Sequence, residues 1–194
     1  AGGNLSPGML LSAYVQGIFP WYSEGFPILW WSPDPRFVLF PEKLHIPSSL
    51  RRVLNRREYS VLFNERFDEV IEGCRTAHRP GQQGTWITDE MEEAYNELFR
   101  LGFVWCAAVT LPEREELAGG VYGVKIGNCF FGESMFASCP NASKFGFVNL
   151  VKKLQGEGVV MIDCQIKTDH LARFGAQMIP RKNFIEIVKK HAVI

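Results

Sequence analysis

Apolar residues at Leu10, Leu11, Tyr14 and Val15, behind Ser6 and Pro7, predict a short amphipathic helix that Gly17 ends. The helical period then stops. In Ile18-Phe19-Pro20-Trp21 and Pro27-Ile28-Leu29-Trp30-Trp31-Ser32-Pro33-Asp34-Pro35-Arg36 the prolines forbid a helix and impose an extended, turning aromatic path. From Tyr59 the pattern sharpens. Tyr59 to Phe63 predicts a strand, and Phe67, Val70, Ile71 and Cys74 predict a helix. Met91, Ala94, Tyr95 and Leu98 predict a second helix, with Asp89, Glu90 and Glu92 in its first turn and Gly102 after its last. Three strands follow, Phe103 to Val109, Leu117 to Ile126 and Cys129 to Phe136, the last two joined by a Gly127-Asn128 turn. A helix capped by Asn141 carries Phe147, Leu150, Val151 and Leu154 on one face and ends at Gly156 and Gly158. Val159 to Gln165 is a strand, Thr168 to Phe174 a short helix, Ala176 to Ile179 a strand and Asn183 to Lys190 a helix.

The resulting order, β-α-α-β-β-β-α-β-α-β, is that of a GNAT-type (N-acetyltransferase-like) α/β (α+β) fold with a mixed sheet. A shift in composition near residue 58 divides the chain into a small Pro/Trp-rich N-terminal lobe, 1–58, and a GNAT-like catalytic domain, 59–194. GNAT enzymes that use coenzyme A grip its pyrophosphate with a Gly-rich loop between the fourth strand and the next helix. Here that place reads Ala137-Ser138-Cys139-Pro140-Asn141-Ala142-Ser143-Lys144, without glycine and with a proline that removes an amide donor. An acyl donor other than a coenzyme A ester is expected.

Of the 194 residues 46% are hydrophobic, enough for one sizeable core or two small ones. Formal charge is zero, but Lys plus Arg minus Asp plus Glu gives 6 − 3 = +3 for residues 1–57, 6 − 14 = −8 for 58–143 and 9 − 4 = +5 for 144–194. A polyanion would therefore meet the two ends. No apolar run reaches membrane-span length, and no signal-peptide pattern opens the chain. Five cysteines without a C-x-x-C pair argue against a disulfide framework and a zinc site, so a reducing cytoplasmic setting is expected.

Strand alternation puts Glu133 and Met135 on one face, and Met161, Asp163 and Gln165 on one face of a later strand. Asp163 follows the apolar run Val159-Val160-Met161-Ile162, so its carboxylate requires a partner. That partner is either structural, from backbone or Arg donors, or part of a site with perturbed acidity.

Seven strings, Gly17-Ile18-Phe19-Pro20-Trp21, Trp30-Trp31-Ser32-Pro33-Asp34-Pro35-Arg36, Thr85-Trp86-Ile87-Thr88, Gly119-Gly120-Val121-Tyr122-Gly123, Phe131-Gly132-Glu133-Ser134-Met135-Phe136, Ala142-Ser143-Lys144 and Ile162-Asp163-Cys164-Gln165, closely resemble in order and spacing the leucyl/phenylalanyl-tRNA–protein transferases. The resemblance covers almost the whole chain. It implies a GNAT-like C-terminal domain and transfer of Leu, Phe or Met from aminoacyl-tRNA to the N-terminal Arg or Lys of an acceptor protein, which marks that protein for degradation. It also implies Asp163 and Gln165 as the catalytic pair and an aminoacyl-adenosine pocket at Trp21, Trp86, Val121, Phe130, Glu133, Met135, Phe147, Leu150 and Ile162. Alternation turns Phe130 and Ile162 away from Glu133 and Asp163, so a bulge or a pocket wrapping a strand end is required. One stretch departs from the family: where a polar His-Ser-x-Glu is usual, this chain has the apolar Trp105-Cys106-Ala107-Ala108.

An aminoacyl ester is already activated, so no cofactor or metal is expected. An amide such as Gln165 is not basic but can accept a hydrogen bond from the attacking amine, while Asp163 fixes that amide, takes charge or binds the acceptor's cation. Arg51, Arg52, Arg56, Arg57 and Lys144 are candidate tRNA contacts, with no DNA or membrane partner and a monomeric chain expected. A coenzyme A-dependent N-acetyltransferase, or a tRNA or N-degron binding module that has lost catalysis, are the competing functions.

Overall fold

The computed structural model describes residues 1–56, 58–77, 86–112, 114 and 116–194; Arg57 and Thr85 lie outside the described residues. Pro7 opens α1 (Pro7–Val15), which buries Leu10, Leu11 and Tyr14. The proline-rich stretch forms an antiparallel ribbon, β1 (Phe19–Pro20) with β2 (Trp30–Trp31), followed by β3 (Arg36–Leu39) and α2 (Ser48–Arg56). Then come β4 (Ser60–Phe63), α3 (Phe67–Thr76), α4 (Asp89–Arg100), β5 (Val104–Thr110), β6 (Gly119–Ile126) and β7 (Cys129–Ala137). The chain continues through α5 (Ala142–Gly156), β8 (Met161–Gln165), α6 (Asp169–Ala172), β9 (Gln177–Ile179) and α7 (Arg181–His191). From β4 to β9 this is the expected GNAT-like order. No helix among the described residues is long and apolar enough to cross a membrane.

Seven strands make one mixed sheet in the order β4-β5-β6-β7-β8-β3-β9. Every pairing is antiparallel except β7 with β8, which are parallel and joined by the crossover helix α5. One face is covered by α1, α3, α4 and α7 through residues such as Tyr14, Val70, Tyr95 and Phe184. The other is covered by α5 and α2 through Phe147, Leu150, Leu154 and Leu50. Burial on both faces explains why β5 is apolar from Val104 to Val109: Cys106 and Ala108 meet one layer and Ala107 the other.

Two local expectations are corrected. The strand β3 belongs to the Pro/Trp-rich segment yet pairs with β8 and β9, so a division at residue 58 would cut the main sheet. With all four residues buried, β3 shows no alternation by which it could be recognised. Asn141 stands at the start of α5 but in a left-handed conformation, φ 64°, and its side chain makes no capping bond. Its Oδ1 accepts instead from Lys144 Nζ at 3.1 Å. Thr88 and Thr168 do cap, accepting from the backbone N–H of Met91 and Leu171 respectively.

Candidate active site

The required bulge lies in β7. Its register against β6 shifts so that Tyr122 faces Ser134 while Gly123 faces Gly132, which leaves Glu133 as the extra residue. One inserted residue reverses the alternation beyond it. Met135 therefore faces Val121, in the layer of Phe130, Phe147 and Ile162, whereas Glu133 reaches Tyr14 and Tyr95 in the opposite layer. The expectation that Glu133 and Met135 share a face is thus corrected. Gly123 makes this possible, because a Cβ there would lie 2.5 Å from the Phe130 ring and 2.2 Å from the Phe131 carbonyl oxygen.

The parallel pairing of β7 with β8 ends at Phe131 and Asp163, and beyond that point the sheet opens. A second irregularity, between β3 and β8, leaves Cys164 unpaired and turns Gln165 into a left-handed conformation, φ 61°. The opening holds a largely apolar cavity of about 370 Å³. It is lined by Trp21, Trp86, Val121, Phe130, Glu133, Met135, Phe147, Ile162, Asp163 and Gln165, so ten of the eleven residues expected at the pocket or its catalytic pair converge there. Leu150, 1% exposed, packs in the α5 layer behind them and is not part of the wall.

Behind the cavity runs a connected polar network. Arg36 grips Asp163 with two hydrogen bonds, Nε to Oδ1 at 2.8 Å and Nη2 to Oδ2 at 2.6 Å, with both side chains essentially unexposed. The guanidinium lies between the Phe19 and Phe184 rings, 4.7 and 4.6 Å from their centroids. Asp163 Oδ1 also accepts the backbone N–H of Gln165 at 2.9 Å, which fixes the strained turn. The Gln165 side chain then donates from Nε2 to Glu133 Oε1 at 3.1 Å.

Glu133 closes a ring with two tyrosines. Tyr14 donates to Oε1 at 2.7 Å, Tyr95 lies 2.9 Å from Oε2, and the two hydroxyls are 2.6 Å apart. Tyr14, Tyr95 and the Gln165 side chain thus direct three donors at the one buried carboxyl. Burial pushes the Glu133 pKa from the usual 4.5 up to about 8; the tyrosine and Gln165 hydrogen bonds pull against that, and Asp163 adds to it. Burial raises both tyrosines further, with Glu133 beside them.

A carboxyl whose pKa is raised by folding contributes stability that is fully present below its ordinary value of 4.5 and is lost as pH rises through about 8. Glu133→Gln is expected to flatten that decline. Urea unfolding of both proteins between pH 5 and 8 measures the difference; parallel curves would mean Glu133 is ionised throughout.

Sequence reasoning missed Arg36, Tyr14 and Tyr95 as members of this network. Both tyrosines were legible only as apolar helix stripe, although a hydroxyl on a buried stripe demands a partner. Arg36, at the head of an apolar run, and Asp163, at the end of another, are complementary signals 127 positions apart. Also unforeseen in the wall are Phe19, Pro20, Thr168, His170 and Leu171. His170 is held below its usual pKa by burial first, then by Lys144 and Arg173, while Lys144 itself does not line the cavity. Arg51, Arg52 and Arg56 are exposed on α2 and none lines the cavity; Arg51 donates to the Ile46 carbonyl and Arg56 pairs with Glu58.

The loop from Ala137 to Ala142 differs from a pyrophosphate grip in more than its lack of glycine. The amides of Ser138 and Cys139 both donate to the Ala118 carbonyl, and that of Ala142 donates to Cys139. No group of three or more His, Cys, Asp or Glu suited to a metal ion occurs among the described residues.

A mixed sheet of the expected GNAT-like order thus opens between two parallel strands, with an apolar cavity and a positioned amide at the opening. A solved protein of unknown function from Bacteroides thetaiotaomicron shares the fold, with TM-score 0.50 and 12% identity over 72% of this chain and 53% of that one. Residues 38–189 match the family model of leucyl/phenylalanyl-tRNA protein transferase, and residues 3–34 match the model of its N-terminal domain. Leucyl/phenylalanyl-tRNA–protein transferase of Anaeromyxobacter sp. (strain K) is 54% identical over 95% of this chain and 78% of its own length. The enzyme of that name from Pseudomonas fluorescens (strain Pf0-1) is 50% identical over 98% of this chain and 83% of its own. The chain belongs to the leucyl/phenylalanyl-tRNA–protein transferase family.

Proposed function

We propose that the protein transfers Leu, Phe or Met from aminoacyl-tRNA to the N-terminal Arg or Lys of an acceptor protein in the cytoplasm, and that the cavity at the sheet opening receives the aminoacyl end. The observation that carries this is Gln165 at the apolar pocket, its backbone N–H held by Asp163 and its side-chain amide nitrogen by Glu133. Five free cysteines fit a reducing compartment.

The acceptor's α-nitrogen attacks the ester carbonyl, the new C–N bond forms as the bond to the ribose oxygen breaks, and the proton lost by nitrogen is gained by that oxygen. An α-amine has a pKa of about 7.7 to 8.0, so making it a free base at neutral pH costs only about 1 kcal/mol. Positioning rather than strong base catalysis then supplies the rate. Because the Gln165 nitrogen donates to Glu133, its carbonyl oxygen remains as the acceptor that orients the amine. Asp163, with both oxygens engaged by Arg36, acts as a positioning residue rather than as a base or a seat for a second cation.

The aminoacyl side chain enters beside Met135, Phe147 and Phe130. Leucyl, phenylalanyl and methionyl donors are expected to outcompete valyl and isoleucyl donors by about 1 to 3 kcal/mol in kcat/KM, because branching at Cβ widens the chain at the mouth. Competition between charged tRNAs measures this, and equal use of valyl-tRNA would place the side chain elsewhere. The function itself is tested with labelled leucyl-tRNA and a peptide beginning with Arg. Label in the peptide supports it, whereas acetylation of the peptide from acetyl-coenzyme A would favour the N-acetyltransferase reading against the committed Ser138 and Cys139 amides.

A further inference from the structure

The two tryptophans of β2 point to opposite sides, as successive strand residues do. Trp30 packs inward and donates its indole N–H to the Gly2 carbonyl at 2.8 Å. Trp31 turns outward and stays 43% exposed. Its ring is held in place, with Nε1 donating to the Trp21 carbonyl at 2.8 Å and the Trp21 ring 6.1 Å away at 59°. Trp21 is itself a wall of the cavity, so Trp31 continues that wall one step outward.

The residue after Trp31 is bound by a cation. Arg181 Nη1 donates to the Ser32 carbonyl at 2.6 Å, its side chain is 46% exposed, and Lys182 beside it is also exposed. Asp34, the acid of this corner, accepts the backbone N–H of Arg181 at 3.0 Å and stands 4.0 Å from its guanidinium. An immobilised indole next to exposed cations is the pairing that single-stranded nucleic acids use, the base on the ring and the phosphate on the charge.

We propose that Trp31, with Arg181 and Lys182, is the stacking platform for an unpaired nucleotide of the tRNA 3′ end that adjoins the one seated in the cavity. This rests on the cavity being the aminoacyl-nucleoside site. A stack is indifferent to base identity, and the phosphate contact carries no sequence, so the platform serves donors of different tRNA identity equally. It also gives the strand a direction, from the cavity past Trp21 and Trp31 toward α7.

The two donors that separate this platform from the cavity are full leucyl-tRNA and leucyl-adenosine, the second having nothing beyond the terminal nucleoside. Trp31→Ala is expected to raise KM for leucyl-tRNA roughly tenfold, the scale of one lost base–aromatic stack, while use of leucyl-adenosine stays within about twofold. Trp31→Phe keeps a ring and is expected to recover most of the loss. Arg181→Gln with Lys182→Gln is expected to weaken leucyl-tRNA binding and shallow its salt dependence by roughly 0.7 per contact. An unchanged KM for leucyl-tRNA in Trp31→Ala, or an equal loss with both donors, overturns the platform. Failure of the unsubstituted protein with both donors overturns the cavity assignment itself.

Discussion

Gln165→Ala is expected to slow single-turnover transfer from leucyl-tRNA by about a hundredfold while leaving charged tRNA binding nearly unchanged. The amide sits on the left-handed residue after the bulge, whose backbone N–H is tied to Asp163 and whose side-chain nitrogen is tied to Glu133. Neither tie reaches toward RNA, so its removal takes away an orientation of the attacking amine and not a contact with phosphate. Rapid-quench transfer and filter binding on the same preparation separate the two quantities. Equal losses in both would make Gln165 a binding residue.

The second large effect concerns the pair behind it. Arg36→Met leaves Asp163 buried without its counter-charge and is expected to destabilise the fold by about 3 to 5 kcal/mol in urea unfolding. Arg36→Met combined with Asp163→Leu removes both charges from a site flanked by the Phe19 and Phe184 rings, and is expected to regain most of that stability. Transfer is expected to remain slow in the double variant, because the Gln165 N–H has lost the oxygen that holds its turn. Recovery of transfer together with stability would reduce Asp163 to scaffold.

These effects follow from contacts that differ in how far they can be read along the chain. The helices α3 and α4 and the β6–β7 hairpin were legible because their signals are local: a 3.6-residue stripe in both helices, acids in the first turn of α4, and glycine with asparagine at the turn. The aromatic and aliphatic wall residues were legible only through family resemblance, since side chains such as Phe130 and Ile162 are indistinguishable from core by pattern alone, whereas Asp163 drew notice as a carboxylate after an apolar run.

By itself the sequence determined the succession of elements from β4 onward, the aromatic N-terminal path and the need of Asp163 for a partner. Tertiary structure decided which partner. Arg36 reaches Asp163 only because β3 inserts beside β8, and that insertion depends on pairing between segments 127 residues apart. Tertiary structure also decided which side Met135 faces, because a single extra residue at Glu133 reverses the two-residue period of the strand. Periodicity is a property of neighbours along the chain, whereas register and ion pairing are settled by whichever strand lies alongside, and the cavity is built from the second kind of information.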